Sequence, residues 1–91
     1  MKIITLNLNG IRSACRKGLY PWLKIQNADF VCLQELKAQE QDLSEDIKAP
    51  DNYLGYFSYA IKKGYSGVGI YCRQKPIKVT RHLDIPEIDD E

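Results

Sequence analysis

No uncharged apolar run in this 91-residue sequence approaches the roughly 18–20 residues that a membrane-spanning helix needs, and no basic, apolar leader opens it. Cysteine is scarce as well, because Cys15, Cys32 and Cys72 are widely spaced and form no CxxC or Cys/His pattern. These absences argue against a membrane protein, a disulfide scaffold and a zinc finger. No repeat or low-complexity tract divides the chain. We expect one small cytoplasmic domain of mixed composition.

The net charge of +1 conceals a strong segregation of charge along the chain. Residues 1–37 carry six Lys or Arg and two Asp or Glu, and residues 62–82 carry six basic residues and no acidic one. The acidic side chains are concentrated in residues 38–61 and 83–91. If the two basic stretches meet on one face, they form a surface for a polyanion. The charge pattern by itself is equally consistent with lysines that are scattered over the surface and simply solvated.

Two short apolar runs predict buried strands at residues 3–8 and 29–34. Between them, Pro21 suits the first turn of a helix that ends at Asn27. Residues 12–18 are predicted to be a basic connector, since Pro21 would remove a backbone donor from a longer helix. A strand, helix and strand in this order make a parallel crossover, which predicts the α/β class.

The second half of the chain contains weaker signals. Residues 37–48 predict a short surface helix, residues 53–60 and 68–73 predict the two strands of a hairpin, and residues 77–81 predict a further extended segment. Cys32 and Cys72 lie in apolar strand-like runs, so both are expected to be buried structural thiols. The hairpin aromatics are expected to be sheet and core residues rather than a base-stacking platform: Tyr53, Tyr56, Phe57 and Tyr59.

Polar side chains follow both predicted parallel strands, where ligands of open α/β sheets bind. Asn7 and Asn9 end the first strand, and Gln34, Glu35 and Lys37 end the second. Carboxylate and amide oxygens are the hard ligands that Mg²⁺ prefers, which makes Glu35 the best single candidate for a metal ligand. The same residues are equally consistent with two structures that bind no metal: a simple turn at Asn9-Gly10, and a solvated loop at residues 34–37 that leads into a helix.

Three segments in order resemble the exonuclease III family of DNA repair nucleases. Residues 28–37 (ADFVCLQELK) are similar to its ten-residue signature, residues 6–12 (LNLNGIR) resemble its first active-site motif, and residues 64–69 (GYSGVG) resemble its third conserved block. The resemblance implies the N-terminal part of a four-layer α/β sandwich, the DNase I-like endonuclease/exonuclease/phosphatase fold. It also implies that residues 1–91 are a single incomplete domain, roughly the first third of the nuclease domain, ending where relatives continue with Gly-Arg.

The resemblance further implies a Mg²⁺-dependent enzyme, with Mn²⁺ as a substitute, that cleaves double-stranded DNA at abasic sites and removes nucleotides from 3′ ends. Glu35 would be the metal-binding carboxylate, and Asn7 would support the metal and the scissile phosphate. Asn7 and Asn9, the second of which stands where some relatives have Asp, would be further metal ligands. Lys37 would support the catalytic group by holding the polar cluster in place.

Two loops would lie along the DNA backbone if the resemblance holds. The expected DNA-binding residues are basic side chains together with the Gly-Tyr pair of the later loop: Arg12, Arg16, Lys17, Lys62, Lys63, Gly64 and Tyr65. His82 matches no family motif and is expected to be non-catalytic. The general base, the catalytic histidine and the remaining metal carboxylate of the family are expected outside this chain.

Several alternatives accompany this interpretation. A related metal-dependent phosphodiesterase or phosphatase could use a similar Asn and Glu on another substrate, and the isolated chain could be a non-catalytic DNA-binding module or an inert fragment. We expect the 91-residue chain to be inactive by itself and marginally stable. The whole nuclease is expected to be a monomer, whereas the chain alone is expected to self-associate through its open sheet edge.

Overall fold

The computed structural model describes residues 1–81, which form one mixed sheet with helices on one face. His82 and the acidic residues 83–91 lie outside the described residues. The elements in chain order are β1 (Ile3–Asn7), α1 (Ile11–Arg16), α2 (Leu19–Gln26), β2 (Phe30–Gln34), a 3₁₀ turn (Glu40–Asp42), α3 (Glu45–Lys48), β3 (Leu54–Ser58) and β4 (Val68–Cys72). No helix within residues 1–81 has the length and apolar character to cross a membrane.

The four strands are arranged in the order β1-β2-β4-β3. β1 and β2 are parallel, with Ile3 opposite Phe30 and Asn7 opposite Gln34. β4 runs antiparallel to both β2 and β3. The predicted parallel crossover and the predicted hairpin are therefore both confirmed, and so is the α/β class.

The core lies on one face of the sheet only. Val31, Leu33 and Tyr71 project from the central strands and pack with Ile11 and Leu23 of the helices. The opposite face carries the alternate residues in three cross-strand rows, which together we call the open face. From β1 to β3 the rows are Ile3, Phe30, Cys72 and Leu54; Thr5, Cys32, Ile70 and Tyr56; and Asn7, Gln34, Val68 and Ser58. None of these twelve side chains carries a charge.

The open face explains where two expectations about side chains were incomplete. Both cysteines lie on the open face; Cys72 is buried, as predicted, whereas Cys32 is only half-buried. Among the hairpin aromatics, Tyr53 and Phe57 belong to the core, whereas Tyr56 is half-buried on the open face. Alternation along the strands decides this division.

The predicted connector at residues 12–18 is largely helical, so that prediction was wrong. Gly10, with φ of +102°, turns the chain so that Ile11 enters α1 fully buried, and Ala14 and Cys15 pack on the core from the same helix. Pro21 lies in the first turn of α2, where a proline is tolerated. The chain breaks at Gly18 (φ +98°), just before α2, so α1 and α2 are separate helices. α2 ends before Asn27, as predicted.

Two further predictions about secondary structure were wrong in part. Residues 37–48 contain a 3₁₀ turn and the four-residue α3 instead of one helix, because Leu43 is extended and buried between them and Ser44 caps α3. Residues 77–81 form no strand, although Arg81 Nε donates to the carbonyl of Phe57 at 2.9 Å.

A pair of phenols holds α3 against the covered face of the sheet. The Tyr71 hydroxyl donates to the carbonyl of Ile47 at 2.5 Å, and the Tyr20 hydroxyl lies 3.1 Å from that of Tyr71 and 3.3 Å from the same carbonyl. Burial, first of all, raises the pKa of both Tyr20 and Tyr71 above the ordinary value for a phenol. Gly55 of β3 completes this contact, since an added Cβ would lie 1.8 Å from the carbonyl oxygen of Lys48.

We expect the free energy of unfolding to fall as the pH rises above about 10. Above that pH the tyrosines of the unfolded chain ionise, while Tyr20 and Tyr71 stay neutral in the folded chain. The contribution of these two phenols to the free energy of unfolding is therefore fully present below about pH 10 and is lost progressively above it. Urea titrations between pH 8 and 11.5 would measure the slope. Tyr71→Phe should flatten it and the exposed control Tyr65→Phe should not; equal slopes in all three chains would contradict the assignment.

Candidate metal and phosphate site

The candidate site lies where β1 and β2 end side by side. Hydrogen bonding between the two chains continues beyond the strands, because the amides of Leu8 and Gly10 donate to the carbonyls of Gln34 and Glu35, each at 2.9 Å. The amide of Ile11 then donates to the carbonyl of Leu36, also at 2.9 Å. The residues that follow the two strands are therefore fixed relative to each other by the main chain.

Four of the predicted residues meet here in one hydrogen-bonded cluster. Asn7 donates its side-chain amide to Oε2 of Glu35, and its Oδ1 accepts from the backbone amide of Asn9 at 3.0 Å. Lys37 Nζ donates to Oδ1 of Asn9 at 2.5 Å and lies 3.7 Å from Oε1 of Glu35. The side chains of Lys37 and Glu35 are 40% and 42% exposed, so the cluster opens to solvent.

The backbone beneath the cluster has an unusual conformation. Asn9, Glu35 and Lys37 have φ values of 48°, 55° and 51°, in the left-handed region that side chains other than those of Asn and Asp seldom adopt. The residue between the two charged ones, Leu36, is fully buried. With this left-handed backbone at Glu35 and Lys37, the side chain of Leu36 is buried in the core and the side chains of both neighbours reach solvent.

The donor set is compatible with a hard divalent cation. Glu35 supplies a carboxylate whose Oε1 lies 3.7 Å from the Lys37 ammonium, and this oxygen accepts no hydrogen bond from another side chain within residues 1–81. Mg²⁺ is commonly bound through one or two carboxylates, with waters and a substrate phosphate as the other ligands. Within residues 1–81, no three His, Cys, Asp or Glu side chains converge on one point, so the protein's contribution here is a single carboxylate with amide neighbours.

The structure distinguishes the roles of the two asparagines. The side-chain nitrogen and oxygen of Asn7 are both engaged, with Glu35 and with the backbone of Asn9, so Asn7 positions the carboxylate in this arrangement. The oxygen of Asn9 is held by Lys37. Direct coordination of a metal by Asn7 or Asn9 stays a prediction.

The two basic segments approach this cluster from either side. Arg12 at the start of α1 points its guanidinium at the carbonyl of Lys37, at 3.4 Å. On the other side, the amide of Lys37 donates to the carbonyl of Ser66 at 2.8 Å, which attaches the loop between β3 and β4. In that loop Lys62 Nζ lies 4.2 Å from the centre of the Tyr65 ring.

The remaining residues expected to bind DNA are exposed on these two segments: Arg16, Lys17, Lys63 and Gly64. Sequence inspection did not identify Ser66 and Gly67 as part of the site, although the carbonyl of Gly67 accepts a hydrogen bond from the amide of Leu36 at 3.1 Å. Gln34, which was predicted at this end of the second strand, lies opposite Asn7 on the open face, and its side chain donates to Thr5 at 3.0 Å. The only available signal was that the Ser-Gly pair lies in a glycine-rich block.

Residues 4–91 match the model of the Endonuclease/Exonuclease/phosphatase family, and the chain belongs to that family. It is 40% identical over its whole length to the exodeoxyribonuclease of Bacillus subtilis (strain 168), and 34% identical to a DNA-(apurinic or apyrimidinic site) endonuclease of Dictyostelium discoideum. It covers 35% and 25% of those proteins, respectively. The solved structure of an AP endonuclease from Archaeoglobus fulgidus superimposes with a TM-score of 0.82 and 35% identity, covering 99% of this chain and 34% of the other.

These similarities confirm the predicted family resemblance and the fold class. The chain spans about a third or less of the length of these relatives. The sheet with helices on one face is thus the N-terminal part of a DNase I-like fold. Nucleases of the family are generally dependent on a divalent metal.

Glu35→Gln is expected to weaken binding of Mn²⁺ to this chain at least about tenfold, because it removes the charged oxygen of the cluster and keeps its shape. Electron paramagnetic resonance of free Mn²⁺ during a titration would give the dissociation constant. The matched control is Glu45→Gln, since Glu45 is 92% exposed on α3, away from the cluster. If both variants weaken binding equally, the cation is attracted by general charge and Glu35 is not its ligand.

Proposed function

We propose that this chain carries part of the active site of a metal-dependent DNA repair phosphodiesterase, with exodeoxyribonuclease and abasic-site endonuclease activity in the whole enzyme. The observation that carries the proposal is the Glu35 carboxylate, held by Asn7 at the ends of two parallel strands and bordered by basic segments on both sides. The names of the Bacillus and Dictyostelium relatives support DNA as the substrate.

The chemistry follows from the charges at the site. Phosphodiester hydrolysis needs compensation of the negative charge that develops on the scissile phosphate, and a bound Mg²⁺ supplies it. Glu35 would hold the ion, Asn7 would orient the carboxylate, and Lys37 would keep Asn9 in place and add positive charge beside the phosphate. Within residues 1–81 no histidine is present and no second carboxylate joins the cluster, so the proton transfers require groups from elsewhere in the enzyme.

The exposed basic segments would bind the phosphate backbone of the duplex. Arg12 and Lys63 are exposed on the two basic segments, and phosphate contacts of this type position DNA without reading its sequence. Such binding suits an enzyme that must act at a lesion in any sequence. We place this enzyme in the cytoplasm, on nucleoid DNA, as a monomer in its whole form and with Mg²⁺ as the working ion.

A chimaera tests the catalytic role directly. This chain would replace the matching segment of the Bacillus subtilis exodeoxyribonuclease, and cleavage of a duplex with one abasic site would be measured in Mg²⁺. We expect the chimaera to cleave, and Glu35→Gln to lower kcat at least about 100-fold because the ion is no longer held against the developing charge. Glu45→Gln serves as the control that should leave cleavage unchanged.

Two outcomes of that assay would reject the proposal. Cleavage that survives Glu35→Gln would remove the carboxylate from the mechanism. A folded chimaera that hydrolyses a phosphoinositide or another phosphate ester, and leaves the abasic duplex intact, would assign the site to a different substrate class of the same family. The 91-residue chain assayed alone should show no cleavage.

The basic loop can be tested by DNA binding of the chain itself. Each lysine that contacts a phosphate contributes about one to the slope of log affinity against log salt concentration, so Lys63→Gln should lower that slope by about 1. Fluorescence anisotropy of a labelled duplex between 25 and 200 mM salt would measure it. Lys24→Gln on α2, also exposed, is the matched control, and an equal loss of slope in both variants would speak against a defined DNA-binding loop.

A further inference from the structure

Two main-chain hydrogen bonds join the β3–β4 loop to the segment that carries Glu35. The amides of Leu36 and Lys37 donate to the carbonyls of Gly67 and Ser66, at 3.1 and 2.8 Å. From the other side, the carbonyls of Glu35 and Leu36 accept from residues 10 and 11. The Glu35–Lys37 segment therefore lies between two loops and is hydrogen-bonded to both.

Gly67 is the point at which this contact is closest. It is buried, its φ is +87°, and an added Cβ would lie 3.3 Å from the Cβ of Leu36 and 3.5 Å from its Cδ1. Leu36 is fully buried, so it has no free space into which to move. A displacement of Leu36 would tilt the peptide units on either side of it. The preceding peptide unit joins Leu36 to Glu35, so the Glu35 side chain would move as well.

We propose that Gly67 is a positioning residue for the Glu35 carboxylate, acting through Leu36 and the two hydrogen bonds of the β3–β4 loop. This inference rests on the proposed function, because it assigns Glu35 to a divalent cation. The loop that would contact DNA through Lys63 and the carboxylate that would hold the cation then form one rigid unit. The distance between the phosphate backbone and the cation is set by main-chain hydrogen bonds rather than by flexible side chains.

The test compares two mirror-image substitutions at one position in the 91-residue chain, which is short enough for chemical synthesis. Gly67→Ala places a methyl group against Leu36 in an unfavourable backbone conformation, whereas Gly67→D-Ala accepts the positive φ and replaces the other hydrogen of the Cα. Gly18→Ala is a control for positive φ by itself, because Gly18 has φ of +98° and no atom within 4 Å of an added Cβ.

Two quantities would be measured in each chain: the affinity for Mn²⁺, and the hydrogen-exchange rates of the Leu36 and Lys37 amides. Gly67→Ala should weaken Mn²⁺ binding about tenfold, the usual effect of losing a group that supports a metal ligand, and should speed exchange at both amides. Exchange at Leu33 in β2 should stay unchanged. Gly67→D-Ala and Gly18→Ala should match the unsubstituted chain in both measurements.

Unchanged Mn²⁺ affinity in a folded Gly67→Ala chain would overturn the proposal, whether or not exchange becomes faster. Should that variant fail to fold, replacement of Leu36 by its α-hydroxy acid removes only the amide that donates to Gly67, and the same drop in affinity is required of it. An unsubstituted chain whose Mn²⁺ binding is identical to that of its Glu35→Gln variant would instead reject the metal site itself, and with it the proposed function.

Discussion

The parallel pairing of β1 with β2 is the constraint on which the rest of the structure depends. Its register places Asn7 level with Gln34, so the amides of residues 8, 10 and 11 meet the carbonyls of residues 34 to 36 just beyond the strands. A slip of one residue would exchange the faces of β2, placing Val31 and Leu33 in solvent. Because the core of the domain is built on those side chains, burial of apolar surface enforces the same register that assembles the polar cluster.

The cluster itself contributes little to stability, and this is consistent with a functional origin. Glu35 and Lys37 are about 40% exposed and 3.7 Å apart, and an ion pair of that kind contributes about 0–1 kcal/mol. The left-handed backbone at both residues has a cost of a similar or larger size. The conformation persists because Leu36, between them, is fully buried and hydrogen-bonded on both sides. Packing of one apolar residue thus offsets the strain of its two charged neighbours.

Local patterns predicted whatever depended on local interactions. The four strands, the helix end at Asn27 and the grouping of Asn7, Asn9, Glu35 and Lys37 all followed from apolar runs, turn residues and the rule for the ends of parallel strands. α1 was not predicted, because no side chain caps its start. Its first residues are held instead by hydrogen bonds to the carbonyls of residues 35 and 36, which are distant in the sequence. The contact of Gly67 with Leu36 was not predicted either, for a related reason. It exists only because β4, rather than β3, lies beside β2, and no local pattern encodes that order.

The open face meets the polar cluster at its last row. Its last row consists of Asn7, Gln34, Val68 and Ser58, and Glu35 follows directly after that row. The open face bears no charge, and Val68 and Ile70 are 51% and 44% exposed on it, so apolar surface there favours a covering layer. A layer over this face would lie beside the row that leads into Glu35. The uncharged surface that favours such a layer and the polar cluster therefore share one edge of the sheet, because the register that separates the two faces of β2 also places Asn7 and Gln34 side by side at its end.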